Sequence, residues 1–411
     1  MEGATTSRRP AQRVTRNTAA LLTRVVCISW SPTMKRLDWT RIALRGGFAL
    51  TLVLTSACGT RDELRTEASE IVRAREVARV ASRMPGLWSE TGGGWLPVLE
   101  ATIGRVEGNG PDVFAAISGL EVGGDGTLYV LDRITSELRA FRPSGQHVRT
   151  VGRVGQGPGE YQSPAGLLWA SEDTLVVADQ MGMRYSLLHD MEHVRSVNRQ
   201  QFVGTRVFRG GIRQRRIYEL DPFRQPPMVA GSPLDPSDPS QGRDSLFLPA
   251  LGPLPEQQRV RARGGTVAAS IPFAPTMVYH LDRRGQLWYG HGSEFRIFNA
   301  TWDGELIAEL SLDAPGTPVT DEDVSTRLAQ IEGSAFGRAG GRIDRSLIPA
   351  IKPYFTGMYL DPENNLWVAV QPPQGGARYA VFDPLVRFLG YVTLEDVGDV
   401  SAMDPVISSP W

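Results

Sequence analysis

The sequence predicts an all-β chain built by radial repetition, and three observations carry the prediction. Ala101 to Leu120 reads ATIGRVEGNGPDVFAAISGL and Arg149 to Leu167 reads RTVGRVGQGPGEYQSPAGL, one phrase of Gly-Arg-Val, glycine-rich loop and apolar run written twice, 48 residues apart. A hairpin pattern then recurs four times: GLEVGGDGTLYVLD from Gly119, GLLWASEDTLVVAD from Gly166, MVYHLDRRGQLWYGH from Met277 and GMYLDPENNLWVAV from Gly357. Finally, 44 Gly and 29 Pro in 411 residues suit a protein of many turns better than a helical one. A fixed period of roughly 40 to 50 residues marks a stacked or radial repeat. Four short strands per period make one blade of a β-propeller.

The elements follow in chain order. Residues 1–33 are basic and poor in acid, and are read as an over-called N-terminal extension, with translation beginning at Met34. Residues 34–57 have a positive start (Lys35, Arg36, Arg41, Arg45), an apolar stretch from Phe48 to Leu54 and small residues at the end, the three-part grammar of an export signal. The apolar stretch is far shorter than the roughly 20 residues of a spanning helix. The signal ends on Cys58, and residues 58–90 read as a polar tether with some helical character. The propeller is expected over 91–411.

Within the propeller, the leucine that opens the second strand of each hairpin recurs at Leu128, Leu175, Leu287 and Leu366, at spacings of 47, 112 and 79 residues. The spacing of 112 is close to two units and predicts a degenerate blade between Gln200 and Ser270, its strands interrupted by a long Pro-rich surface loop. The spacing of 79 is one unit plus an insertion. There Thr320 stands three residues before Asp323 and ahead of Val324, Leu328 and Ile331, a capping signal before a short inserted helix. A second hairpin follows the first in each unit, with turn signals at Ser144-Gly145, Asp190-Met191, Asp303-Gly304 and Asp383-Pro384. The last blade falls to the C-terminal EDVGDVSAMDPVISSPW, which is too short and polar for a full hairpin pair. That blade is expected to be incomplete, or closed by an N-terminal strand around Trp95–Leu99.

Two resemblances sharpen these readings. The stretch GRVGQGPGEYQSPAGLLWASEDTLVVADQMGMRYSLL resembles an NHL-type repeat, and GQGPGEY in particular is similar to the secreted or lipid-anchored six-bladed propeller proteins of bacteria. Cys58 after Thr55-Ser56-Ala57 resembles the lipobox of bacterial lipoproteins. That resemblance implies lipidation of Cys58 and, with Gly59 rather than Asp next, anchoring at the outer membrane; an ordinary secreted, soluble form is the alternative.

For chemistry, the chain offers Asp132, Asp179, His291 and Val370 at the end of the second strand of successive blades. Asp132, Asp179 and His291 could face a common funnel and bind a divalent metal or polar ligand. Alternatively, each acid fixes its own turn and a neighbouring arginine, as buried acid–arginine pairs readily do. Arg184 follows Asp179, Arg296 follows His291 and Arg378 follows Val370, the pairing that the NHL resemblance implies. Trp288 and Trp367 precede the strand ends and are candidates to line a sugar site, though strand tryptophans are core by default. The cluster Arg206, Arg209, Arg213, Arg215, Arg216, interleaved with Phe202, Phe208 and Tyr218, has a composition suited to an acidic polymer.

Several classes are excluded. A formal net charge of −1 gives no global case for nucleic acid or an anionic membrane surface. Cys27 and Cys58 form no disulfide framework or zinc site. GQGPGE lacks the strand-to-helix setting and the Lys-Ser/Thr of a phosphate loop, and no H-E-x-x-H or G-x-S-x-G is present. The reading is a monomeric, lipid-anchored, extracytoplasmic module binding a protein, peptide or glycan, with no cofactor and no membrane contact beyond its lipid. The alternative is a metal-dependent hydrolase or lyase with its site in the central funnel.

Overall fold

The computed structural model describes residues 25–32, 77–105, 107–199, 210–213, 215–221, 224, 226–235, 237, 244–254, 256–282, 284–361, 363–371 and 377–394. The export signal, Cys58, most of the tether, Arg206 and Arg209 of the basic cluster and the C-terminal 395–411 lie outside the described residues. Strand β1 (Val25–Pro32), strand β2 (Ala78–Arg83), helix α1 (Leu87–Thr91) and strand β3 (Trp95–Ile103) precede the repeats. The first blade holds β4 (Ile117–Val122), β5 (Leu128–Asp132), β6 (Glu137–Phe141) and β7 (His147–Val151). The second holds β8 (Pro164–Ser171), β9 (Thr174–Asp179), β10 (Arg184–His189) and β11 (Glu192–Asn198). The third holds β12 (Gly210–Arg213), β13 (Arg216–Asp221), β14 (Met228–Pro233) and β15 (Asp244–Phe247). A separate hairpin, β16 (Gln257–Ala262) and β17 (Gly265–Ser270), leads into the fourth blade: β18 (Met277–Leu281), β19 (Leu287–His291), β20 (Arg296–Ala300) and β21 (Leu306–Asp313). Helices α2 (Asp321–Glu332) and α3 (Ala335–Arg338) then precede the fifth: β22 (Gly357–Leu360), β23 (Leu366–Val370), β24 (Ala377–Phe382) and β25 (Phe388–Leu394).

Each blade is an antiparallel meander in sequence order. The first strands β4, β8, β12, β18 and β22 meet one another in succession and form the inner ring. Apolar layers separate the sectors. Leu131 and Leu138 meet Leu175 and Leu188 between the first two blades; Tyr185 and Val197 meet Ile217 between the second and third. Tyr218 and Val229 meet Tyr279 and Leu287, and Val278 and Ile297 meet Phe355 and Leu366, across the next two gaps. Two further layers close the circle, and both are made on β3. Trp95, at its start, stacks on Trp367 of the fifth blade with ring centroids 5.3 Å apart; Ile103, at its end, is buried with Phe114 and Phe141 of the first. Six layers therefore separate six sectors, with β3 as the outermost strand of the sixth. Its sequence ends Ile103-Gly104-Arg105 just as β7 ends Val151-Gly152-Arg153, which is why the opening phrase is written twice.

The structure departs from the sequence reading in four places. The N-terminal strand is longer than expected, Trp95–Ile103, and it pairs antiparallel with Val25–Pro32, drawing into the ring a stretch assigned to an upstream extension. Residues 77–90, assigned to the tether, dock on the propeller. β2 adds a fifth strand, parallel to β21, at the outer edge of the fourth blade, and Trp88 is buried against the fifth. The third blade is complete, not degenerate: Met228–Pro233, inside the Pro-rich run, is its third strand. Gly231 stands directly opposite Tyr218, and a Cβ there would lie 2.6 Å from the ring, so the glycine that disguises the strand is what lets it pack. Among the described residues the hairpin β16–β17 is an addition with no counterpart in the other blades.

Candidate functional site

The strand order gives the propeller two unlike ends. First strands run away from the lead-in loops and second strands return, so the loops between blades and the turns between second and third strands share one face, the lead-in end. The remaining turns form the far end.

Asp132 and Asp179 sit at the lead-in end of their blades, fully buried. The Asp132 carboxylate accepts from the backbone N–H of Ala115 (2.6 Å) and Ala116 (3.2 Å) in the lead-in loop, and of Ile134 (2.9 Å) and Thr135 (3.3 Å) in the turn beyond it. Asp179 repeats the arrangement with Gln162, Ser163 (2.8 Å) and Gly182 (3.2 Å), and Arg184 Nε lies 3.6 Å away. Each acid thus ties the loop entering a blade to a turn of the same blade, with donors from its own sector. Arg184 donates onward to the carbonyls of Gln156 and Glu160, both at 2.6 Å, and clamps the glycine-rich loop. Beneath each lock lies one buried ring, Phe114 in the first blade and Tyr161 in the second. The Tyr161 hydroxyl makes no hydrogen bond, and burial, with Asp179 nearby, pushes its pKa up. Since phenylalanine serves in the neighbouring blade, the ring is the functional part.

His291 occupies the same position in the fourth blade, and a change of chemistry accompanies it. Arg133, Gln180 and Gly292 donate their backbone N–H to Ala116, Ser163 and Thr276 respectively, which makes Pro275 the counterpart of the donors Ala115 and Gln162. Proline has no N–H to give. The imidazole is instead 2 % exposed, with Nδ1 2.7 Å from Ser293 Oγ and Nε2 without a hydrogen bond. The 249–254 loop lies against it, since a Cβ on Gly252 would come within 2.4 Å of the ring. Burial pushes the His291 pKa down.

The other candidates are placed as follows. Trp288 and Trp367 are 6 % and 1 % exposed and belong to the layers between blades; their indole N–H groups donate to Asp282 (3.4 Å) and Asp361 (2.9 Å). They hold turns and line no open site. Arg296 pairs with Glu309, not with His291. Arg378 lies over the Tyr391 ring, 3.8 Å from its centroid. Arg216 and Tyr218 of the basic cluster are buried, so those two are parts of a blade and not of a surface patch. Asp132, Asp179 and His291 each remain in their own sector, and among the described residues no three His, Cys, Asp or Glu side chains are grouped as metal ligands.

Sequence reasoning passed over three residues. Asp221 ends β13 as Asp132 ends β5, and the signal was present: RIYELD parallels TLYVLD. Arg139, 5 % exposed, donates to the Pro111 and Val113 carbonyls and clamps the first lead-in as Arg184 clamps the second. His280 lies on the inner strand β18, and desolvation lowers its pKa to about 4.

The surface distinguishes the two ends. Among the described residues ten large apolar side chains are exposed, and Ile134, Val154, Met181, Phe247, Leu254 and Ile351 are all at the lead-in end. Ser136, two residues from Ile134, touches Gly152, and the loop from Gly152 carries Val154 and is clamped by Arg184, which follows the turn that bears Met181, so the segments carrying these three are neighbours. The far end holds a shallow depression of about 410 Å³ lined by Arg284, Gly285, Gln286, Thr301, Trp302 and Asp303, turns of a single blade.

These observations meet in one conclusion. The chain is a β-propeller. Residues 112–197 match the family model DUF5128, described as a 6-bladed beta-propeller, in agreement with the six sectors. A search of curated proteins returned no match. Among solved structures, a duf4221 family member from Bacteroides vulgatus is 11% identical, with 67% of this chain and 81% of that one covered at a TM-score of 0.42. A protein from Bacteroides fragilis is 12% identical, with 77% and 80% covered at 0.40. Virginiamycin B lyase from Staphylococcus aureus is 9% identical, with 68% and 84% covered at 0.37. At these values the likenesses carry no argument about activity.

Proposed function

We propose that this propeller is a lipid-anchored, extracytoplasmic recognition module that binds a protein, peptide or glycan at its lead-in end. The observation that carries the reading is that six of the ten exposed large apolar side chains among the described residues lie at that end; an exposed apolar patch marks an interaction site. The loops there are also the long ones: the 248–276 and 314–356 connections hold a hairpin and two helices. Loops on a rigid scaffold are where binding residues concentrate. The direction of β2 is consistent with an anchor. Parallel to β21, it starts at the far end, so a lipid on Cys58 would join the body from the side opposite the apolar face. The buried carboxylates favour binding over a central metal, because Asp132 is already engaged by four amides of its own sector.

The test presents the full chain, immobilised, to peptide and glycan arrays. A variant carrying Ile134→Asp, Val154→Asp and Met181→Asp should lose the ligand that the parent retains, whereas Leu385→Asp, exposed at the far end, should keep it. Retention by the triple variant, or loss by Leu385→Asp alone, overturns the assignment of the face.

A further inference from the structure

The hairpin β16–β17 is a sheet of two strands, and its register leaves one edge ready to pair. Ala262 faces Gly265 across the two-residue turn Arg263-Gly264. In a hairpin closed this way the facing residues 262 and 265 exchange their backbone hydrogen bonds, and every second pair does the same. Ala262, Val260 and Gln258 therefore turn their N–H and C=O groups inward to β17, in step with Ile271 N donating to the Glu256 carbonyl. Gln257, Arg259 and Arg261 turn theirs outward. No other strand joins β16 among the described residues, and α3 packs on β17, which leaves the β16 edge as the open one.

The side chains on that edge share one sign of charge. Arg259 and Arg261 are exposed on the same face of the strand, Arg263 is exposed at the turn, and none of the three makes an ion pair among the described residues. Proteins usually blunt an edge strand with charge to repel like strands. Here two arginines at alternate positions, beside backbone groups that point outward, repel a basic or neutral edge and complement a strand with acids at alternate positions. The hairpin lies in the connection between the third and fourth blades, at the lead-in end.

We infer that the β16 edge is a docking site for an extended acidic peptide segment of a partner protein, which adds a third strand beside Gln257, Arg259 and Arg261 and sets alternate carboxylates against Arg259 and Arg261. Backbone pairing supplies the affinity and the alternating charges the selectivity, as in other strand-addition recognition. The inference rests on the recognition-module reading and names its partner class.

The probe is a fluorescent octapeptide alternating threonine and glutamate, titrated against the full chain and followed by anisotropy. Saturable binding is expected. An alternating threonine–lysine peptide should not bind, and replacing both Arg259 and Arg261 with Glu should weaken binding by about tenfold or more. Because that double variant could disturb the hairpin, a second arm leaves the protein untouched: the acidic octapeptide is N-methylated at alternate residues on each of its two edges in turn, and the form methylated on the edge that faces β16 loses the donors a strand needs and should not bind, whereas the other form should. Absence of saturable binding overturns the inference, and so does binding that survives both N-methylations, which would be charge attraction alone. Tighter binding of polygalacturonate, displacing the peptide, overturns it in favour of an acidic glycan. Failure here is separable from failure of the broader reading: loss of an array ligand in the Ile134, Val154, Met181 variant would leave the lead-in end as the binding face while removing β16 from it.

Discussion

Replacing Asp132 with asparagine separates a structural lock from a ligand site. Asparagine keeps the shape but turns one oxygen into a donor. Three amides, of Ala116, Ile134 and Thr135, face Oδ1 and one, of Ala115, faces Oδ2. With the side-chain oxygen kept on the group of three, the Ala115 N–H meets an N–H₂ and is orphaned, at a cost of about 1–3 kcal/mol, and each remaining bond loses its charge assistance, roughly 1 kcal/mol apiece. The expected destabilisation is about 4–6 kcal/mol. Unfolding entropy near 2.1 cal/mol/K per residue over about three hundred propeller residues converts this to a fall in Tm of about 6–10 °C if unfolding is cooperative. Differential scanning calorimetry, with and without divalent cations, is the assay. A fall under about 2 °C would refute the lock. So would a cation that raises the parent's Tm and leaves that of Asp132→Asn unchanged, because the carboxylate would then have had capacity to spare for metal.

Two further predictions concern the interior. Glu219 receives the hydroxyl of Tyr185 and the guanidinium of Arg199, joining the second and third blades in a buried network. Glu219→Gln strands the Arg199 charge and should cost about 3–5 kcal/mol in urea unfolding, whereas Glu219→Leu combined with Arg199→Met should recover most of it; a single-variant cost under about 1 kcal/mol contradicts this. His280 predicts a pH dependence. Its folded pKa of about 4 lies below the roughly 6.5 of an unfolded histidine, so the unfolded chain takes up the proton first as pH falls. The stabilisation is complete above about pH 6.5, declines from there to about pH 4 and levels off below, and His280→Leu should flatten that part of the curve when urea midpoints are compared at about pH 7.5 and 4.5. An unchanged slope in His280→Leu would assign the acid sensitivity to other groups.

The repeat was legible because its signals are local. Leu128, Leu175, Leu287 and Leu366 open second strands, and the capping box of Thr320 and Asp323 starts α2, as propensity and spacing predict. Asp132 and Asp179 were picked out by position, but the choice between lock and ligand was not legible, since it depends on backbone amides 16 and 17 residues upstream whose direction is set only when the loop closes. Tertiary context also hid β14, where Gly231 and the flanking prolines read as loop until Tyr218 is seen to need the space. The exposed β16 edge was invisible for the opposite reason: QQRVRA alternates as any half-buried strand does, and nothing local says that a partner strand is missing.

The locks and the insertions occupy opposite parts of the ring, and each explains the other. In the first two blades the lead-ins are short, 104–116 and 152–163, and a buried acid gathers their last amides. In the fourth and fifth blades the lead-ins lengthen to 248–276 and 314–356, and the position holds His291 and Val370. A carboxylate can serve only if two successive N–H groups are delivered to it, and a loop that carries a hairpin or two helices is held by other means. Pro275 withdraws one donor, Tyr354 N donates to the Gly292 carbonyl, and Lys352 Nζ reaches Asp323 of α2 at 2.7 Å. Keeping an acid at 291 would bury a charge short of donors, a cost of several kcal/mol, whereas a neutral imidazole bonded to Ser293 avoids it. Loss of the lock thus goes with the insertions, and the added surface, with β16 and its arginines, lies on one side of the lead-in end.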